Sequence, residues 1–340
     1  MPLNDRPVTT GFVAALWIVY VLVLLGGGMG DHGGLGALGP SDRALDAAGS
    51  LDTEAVFAGE WERMATAALL HLGLLHILWN ASALLQLGGT IERIYSSRDV
   101  AFVFAASAFG GSGAALAWTA ATGEPKHVVG ASGVACGAAA ALWILWMGTP
   151  DGVLADYRSR IQAMLVINLA IGAIPGISFL GHAGGALAGA GAGLLIRRRG
   201  GVRLRGDGWT RGLDAATAIL AGAFVVAVAV AAWKAPDRFR EARADGPFRS
   251  LLTDLHERIY GDAVADDPEQ AARDEAAWRA DMLRLSVPAS WEPARAAALE
   301  AFDLAADDGA KDPERRLAAA RRLNDAWETF RRARGGGSGR

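Results

Sequence analysis

The chain has 340 residues, 52% of them hydrophobic and 20% charged, with a mean hydropathy of +0.23. A water-soluble globule of this size seldom has a positive mean, so the composition points to a membrane protein. The net charge of −3 excludes general nucleic-acid binding, which needs a surplus of Lys and Arg. The single cysteine, Cys136, excludes an intrachain disulfide and a cysteine-rich metal site.

The charges are uneven: 21 acidic and 18 basic residues fall between Ala235 and Arg340. The first two thirds are correspondingly apolar. A spanning helix needs roughly 20 mostly apolar residues, and seven stretches qualify or nearly do. They are Gly11–Gly28, Ala65–Gly88, Val100–Ala121, Gly133–Trp146, Ile161–Pro175, Gly181–Ile196 and Leu213–Trp233. The first lacks an Ala-x-Ala-like site after its apolar run and reads as an uncleaved span.

The sixth and seventh stretches are separated by Arg197, Arg198, Arg199, Arg203, Arg205 and Arg211, which places that loop in the cytoplasm. Arg93, Arg98, Arg158 and Arg160 agree with it. Counting from there puts the N-terminus inside and the tail outside. The chain then divides into a short cytoplasmic N-terminus (1–10), a six-span core (11–196), a basic loop (197–212) and a seventh span (213–234). A soluble helical domain (235–334) and a flexible end (335–340) follow. The expected fold is an all-α, polytopic membrane helical bundle with a soluble helical tail.

The tail reads as four amphipathic helices. Phe248, Leu251, Leu252, Leu255 and Ile259 form one stripe; Trp278, Met282 and Leu285 another; Leu317, Leu323, Trp327 and Phe330 a last one. Ser290 and Asp312 are candidate N-caps, the second followed by Pro313.

Polar side chains inside spans are costly and are functional candidates. Here they are His71, His76, Asn80 and Gln86 in the second stretch, Ser132 at the head of the fourth, Asn168 in the fifth and His182 in the sixth. On a regular helix His76 and Asn80 differ by about 40° and share a face, while His71 lies about 140° from His76. Each alone is equally readable as a helix-packing hydrogen bond. Gly130-Ala131-Ser132-Gly133 lets the backbone turn sharply into a helix whose free N–H groups lie beside the serine oxygen. Gly185 and Gly189 make a face for close helix contact, and His182 borders it. A histidine brought against Ser132 could serve as its general base. No Asp or Glu is placed to orient His182, so the pattern is a dyad rather than a triad.

Taken together, these motifs resemble the rhomboid family of intramembrane serine proteases, from about Gly59 to Gly189. The resemblance implies Ser132 as nucleophile and His182 as general base, with His76, Asn80 and the Ser132 N–H as the oxyanion hole. It implies structural roles near the site for His71, Arg63, Glu92, Gly130, Gly133, Cys136, Gly185 and Gly189. Arg63 falls in the first-loop stretch Gly59-Glu-Trp61-Glu-Arg63, and Glu92 falls where the family has a glutamate in the loop after the second span. Glu62 replaces the usual second tryptophan and is expected to loosen the first loop. Cys136 replaces an aromatic that packs on the histidine and is expected to leave His182 less tightly held.

The implied activity is cleavage of transmembrane protein substrates in the bilayer of a bacterial plasma membrane, with no metal or cofactor. The oligomeric state is left open. A processing enzyme resembling rhombosortases, acting on C-terminal Gly-Gly anchors, is the nearest alternative. A catalytically inactive binder of transmembrane clients usually lacks the serine or the histidine, and both are present here. A transporter using His71, His76 and His182 as a relay would usually want an intramembrane carboxylate, which the cores of these spans lack.

Overall fold

The computed structural model describes residues 6–30, 37–147, 155–172, 177–198, 208–260, 268–305 and 313–335. It separates into two compact units, Met1–Ala235 and Pro236–Arg340.

The first unit begins with α1 (Pro7–Gly27), followed by α2 (Asp42–Ala47), the short strand β1 (Leu51–Asp52), α3 (Thr53–Phe57) and α4 (Arg63–Thr66). A 3₁₀ turn, Ala67–Leu69, leads to α5 (Leu74–Ile94) and α6 (Ser97–Thr122). Then come β2 (His127–Val128), α7 (Ser132–Trp146), α8 (Ala155–Ile171), α9 (Phe179–Arg198) and α10 (Gly208–Tyr260). β1 and β2 pair antiparallel, with Leu51 opposite Val128 and Asp52 opposite His127. Among the described residues five helices are long and apolar enough to cross a membrane: α1, α5, α6, α9 and α10. α7 is a shorter apolar helix, and α8 stands at the expected fifth span. Pro175, the expected end of that span, lies outside the described residues. The result is an all-α, multi-pass membrane bundle.

Composition explains why α7 is central. Residues Val134 to Leu142 are buried without interruption, as an apolar helix with no polar face must be. Its run of alanines and glycines lets α6 and α9 approach it closely. A Cβ on Gly133 would lie 2.7 Å from the Gly181 carbonyl oxygen, and one on Gly185 would lie 2.9 Å from the Gly133 Cα. Gly189 meets Gly137 in the same way one turn further on. No other residue type permits this spacing.

Two boundaries differ from the sequence expectation. The second span starts at Leu74, not Ala65, because Leu70 is extended (ψ 148°) and Gly73 is also extended. The apolar run from Ala65 is instead spent on α4 and the 3₁₀ turn beneath the first loop. The helix that carries the seventh span does not stop at Trp233: α10 continues through Pro236 and Pro247 to Tyr260. A proline removes one backbone bond and locally clashes, yet α10 runs through both positions.

In the second unit, the C-terminal part of α10 joins α11 (Pro268–Arg284), α12 (Glu292–Ala305) and α13 (Pro313–Gly335). Phe248, Trp291 and Phe330 pack together, with ring centroids 4.8–5.8 Å apart. Trp278 stacks on Phe302 at 4.4 Å. Leu317 is 55% exposed and so falls outside the expected stripe. Ser290 lies inside a 3₁₀ turn (Ala289–Trp291) rather than capping α12, and Asp312 is outside the described residues. Of the expected flexible end, 335–340, Gly335 belongs to α13 and residues 336–340 lie outside the described residues.

Candidate active site

Ser132 is the first residue of α7, and Ala131 before it offers no side-chain cap. The free N–H groups of the first turn therefore surround the serine with donors and a positive helix pole. Fifteen residues rise about 22 Å, less than the roughly 30 Å hydrocarbon core of a bilayer, so α7 cannot reach both faces. A serine at its tip is recessed below the surface if the other end is at the opposite face.

His182, in the first turn of α9, is buried at 4% exposure. Its Nε2 lies 2.8 Å from Ser132 Oγ. Its Nδ1 lies 2.8 Å from the backbone carbonyl oxygen of Asn168. A carbonyl can only accept, so Nδ1 carries the proton and Nε2 presents its lone pair to the hydroxyl, which donates. The Asn168 carbonyl lies in the last turn of α8, at the negative pole of that helix, and also accepts from Gly172 N at 3.1 Å. This orienting acceptor is absent from the sequence reading. The Asn168 side chain, flagged for its polarity, donates to Met164 O within its own helix at 2.8 Å, while the backbone of the same residue makes the contact that matters. A main-chain oxygen leaves no residue-type signal.

His76 and Asn80 lie one turn apart on α5, as their spacing predicts. Asn80 is 2% exposed, and Asn80 Nδ2 and His76 Nδ1 find no hydrogen-bond partner among the described residues. Gly130 separates His76 from the serine. A Cβ there would sit 2.9 Å from His76 Nε2 and 3.7 Å from Ser132 Oγ. With φ at +119°, this position favours glycine on backbone grounds too. The space between imidazole and hydroxyl is thus kept clear of side chain.

His71 precedes α5 and is not bound by that helix's periodicity. Its ring stands 5.0 Å from the ring of His76, edge-on, although the 140° separation on a regular helix would point the two apart. Its Nε2 accepts a long contact, 3.5 Å, from Ala131 N. Gly130 N donates to Ala67 O at 2.9 Å, so the 3₁₀ turn and His71 together brace the backbone leading into Ser132.

Arg63 is buried at 5% and lies away from the dyad as the hub of the first loop. Its guanidinium donates to Glu60, to both the carboxylate and the carbonyl of Asp46, and to Ser50 O at 2.8 Å. Burial alone would lower its pKa, but the Asp46 and Glu60 carboxylates outweigh this and hold it above its ordinary value. Glu62 does not leave the loop loose. Its side chain is fully enclosed, and Lys234 Nζ on α10 lies 2.7 Å from its Oε1. Cys136 is 1% exposed, one turn along α7 from the serine, where a thiol acts as a small apolar filler. His182 is nonetheless held at both ring nitrogens. Glu92 does not belong to the site. It lies in the last turn of α5 and accepts from Val8 N and Thr9 N, both at 2.9 Å, capping α1. A carboxylate at a helix N-terminus is favourable wherever that helix starts.

The fold and this arrangement define a polytopic helical membrane protein with a buried, hydrogen-bonded serine–histidine pair. The family model of the Rhomboid domain matches residues 58–199 of the chain. The chain is 29% identical over 188 residues to the rhomboid protease GluP of Bacillus subtilis (strain 168), covering 55% of this chain and 34% of that protein. It is 30% identical over 174 residues to the mitochondrial RHOMBOID-like protein 6 of Arabidopsis thaliana, covering 47% and 52% respectively. RHOMBOID-like protein 4 of the same plant is 30% identical over 154 residues, 44% of this chain and 37% of that one. The chain thus spans between about a third and a half of the length of these relatives.

Proposed function

We propose that the protein is an intramembrane serine endopeptidase that cleaves membrane-protein segments through an acyl-enzyme. The observation that carries this reading is the 2.8 Å contact between Ser132 Oγ and His182 Nε2, with Asn168 O holding the proton on the other ring nitrogen.

In this reading Ser132 Oγ attacks a peptide carbonyl carbon as its proton passes to His182 Nε2. The imidazolium so formed is stabilised through its Nδ1–H by the carbonyl end of α8. The carbonyl oxygen becomes an oxyanion in the gap left by Gly130, where Asn80 Nδ2, the Ser132 N–H and His76 supply donors. Collapse of the tetrahedral intermediate breaks the C–N bond, and His182 returns its proton to the leaving amine. A water molecule, deprotonated by the same nitrogen, then releases the acyl group and regenerates the serine.

A helical substrate hides its carbonyls in its own hydrogen bonds, so the segment cut must unwind locally. Glycine and other helix-destabilising residues lower that cost. The orientation that goes with this reading has the N-terminus in the cytoplasm and the tail outside, following the positions of Arg93, Arg98, Arg158, Arg160 and Arg197. The test is a fluorophosphonate probe on the full chain in membranes. Wild type should be labelled, Ser132→Ala should not, and His182→Ala should be labelled far more slowly. An unlabelled wild type, folded by its melting curve, would overturn the reading.

A further inference from the structure

Two ion pairs tie the membrane-crossing part of α10 to the core. At one end Arg98 Nη1 lies 3.0 Å from Asp214 Oδ2; at the other, Lys234 Nζ lies 2.7 Å from Glu62 Oε1. The stretch from Asp214 to Lys234 rises about 30 Å, the thickness of the hydrocarbon core. The pairs are unequal. Arg98 and Asp214 are 67% and 36% exposed, and such a pair is weak. Glu62 is wholly enclosed, and Lys234 is 40% exposed. A carboxylate removed from water depends on its countercharge, so losing Lys234 has consequences that losing Arg98 does not.

Glu62 opens a short, heavily bonded path toward the serine. Thr66 Oγ1 donates to Gly49 O at 2.6 Å and lies 3.2 Å from Glu62 O, fixing the turn that Glu62 starts. Ser112 on α6 donates to Met64 O at 2.8 Å. Ala67 O, at the end of this turn, accepts from Gly130 N, two residues before Ser132. The turn from Glu62 to Ala67 is therefore held by α10 at one end and holds the serine loop at the other.

We propose that Glu62 and Lys234 form a positioning pair through which the seventh helix sets the backbone in front of Ser132. Lys234 lies outside residues 58–199, so a residue beyond the Rhomboid domain becomes part of the working enzyme. The glutamate that replaces the expected tryptophan is then an exchange of an apolar anchor for an ionic one. The inference rests on Ser132 being the nucleophile.

The test uses the full chain with a model transmembrane substrate. Lys234→Met and Glu62→Gln should each lower kcat about tenfold, with KM within twofold. Lys234→Arg should keep kcat within twofold. The double variant should lose no more than about twice what the worse single loses, because both singles break one contact. Singles with unchanged kcat, or a double whose loss is the product of the two, would overturn the pair. A second measurement does not depend on those variants folding. Trp61→Cys and Trp233→Cys, at side chains that are 43% and 86% exposed, should react with a membrane-impermeant maleimide from the same side. Reaction from opposite sides would overturn the pair. A wild type that neither cleaves nor takes the probe defeats the hydrolase reading alone, and maleimide reaction from opposite sides would still overturn the contact.

Discussion

Gly185→Ala gives the sharpest handle on how packing becomes catalysis. The new Cβ would lie 2.7 Å from the Gly133 carbonyl carbon and 2.9 Å from its Cα, with the carbonyl oxygen nearer still. Carbon atoms are comfortable at about 3.5–4.0 Å, so α7 and α9 must separate by roughly 1 Å. Neither partner can yield cheaply, because both are backbone. Ser132 is next to Gly133, and His182 is one turn before Gly185, so the separation is imposed where the dyad forms. A 2.8 Å hydrogen bond stretched by about 1 Å is no longer one. Misplacement of that size costs about a hundredfold in rate. The expected result is a kcat reduced about a hundredfold, with the protein folded and inserted and its melting temperature lowered by a few degrees. The assay is cleavage of a model transmembrane substrate alongside fluorophosphonate labelling. Wild-type kcat in Gly185→Ala would refute the coupling of helix spacing to the dyad.

Asn80→Ala should lower kcat about 10²–10³-fold with little change in KM, since an oxyanion donor acts only as charge develops. Steady-state kinetics check it, and a change confined to KM would remove Asn80 from that role. Arg63→Met leaves the buried Ser50 carbonyl without its donor and the loop acids without their cation. It should destabilise the protein by about 2–3 kcal/mol, read as a lower melting temperature. Glu92→Ala strips the cap from α1 and should cost about 1–2 kcal/mol of stability. Because Glu92 is remote from the dyad, its labelling rate should stay at the wild-type value.

How much of this was legible in the sequence depends on whether the signal was carried by side-chain type or by backbone. The 3.6-residue period places His76 and Asn80 on one face, and the structure has them there. The small-residue face at Gly185 and Gly189 announces close packing against another helix, although which helix came only from the family resemblance. His71 escapes the helical period because the backbone is extended at Leu70 and Gly73, which hydropathy does not record. Asn168 was noticed for its amide, while its carbonyl makes the contact. The pairing of Glu62 with Lys234 joins residues 172 positions apart, which no local pattern encodes. The continuity of α10 through Pro236 and Pro247 runs against the usual meaning of proline, and the seventh span reads as separate from the tail because the apolar run ends at Trp233 and the charges begin there.

The most direct test of the central claim is to capture the covalent intermediate. Purified protein in lipid is mixed with a transmembrane substrate, quenched within a turnover and digested for mass spectrometry. A substrate acyl group on the peptide containing Ser132, absent from Ser132→Ala and reduced in His182→Ala, is the predicted result. Substrate cleaved at the wild-type rate by Ser132→Ala would contradict it.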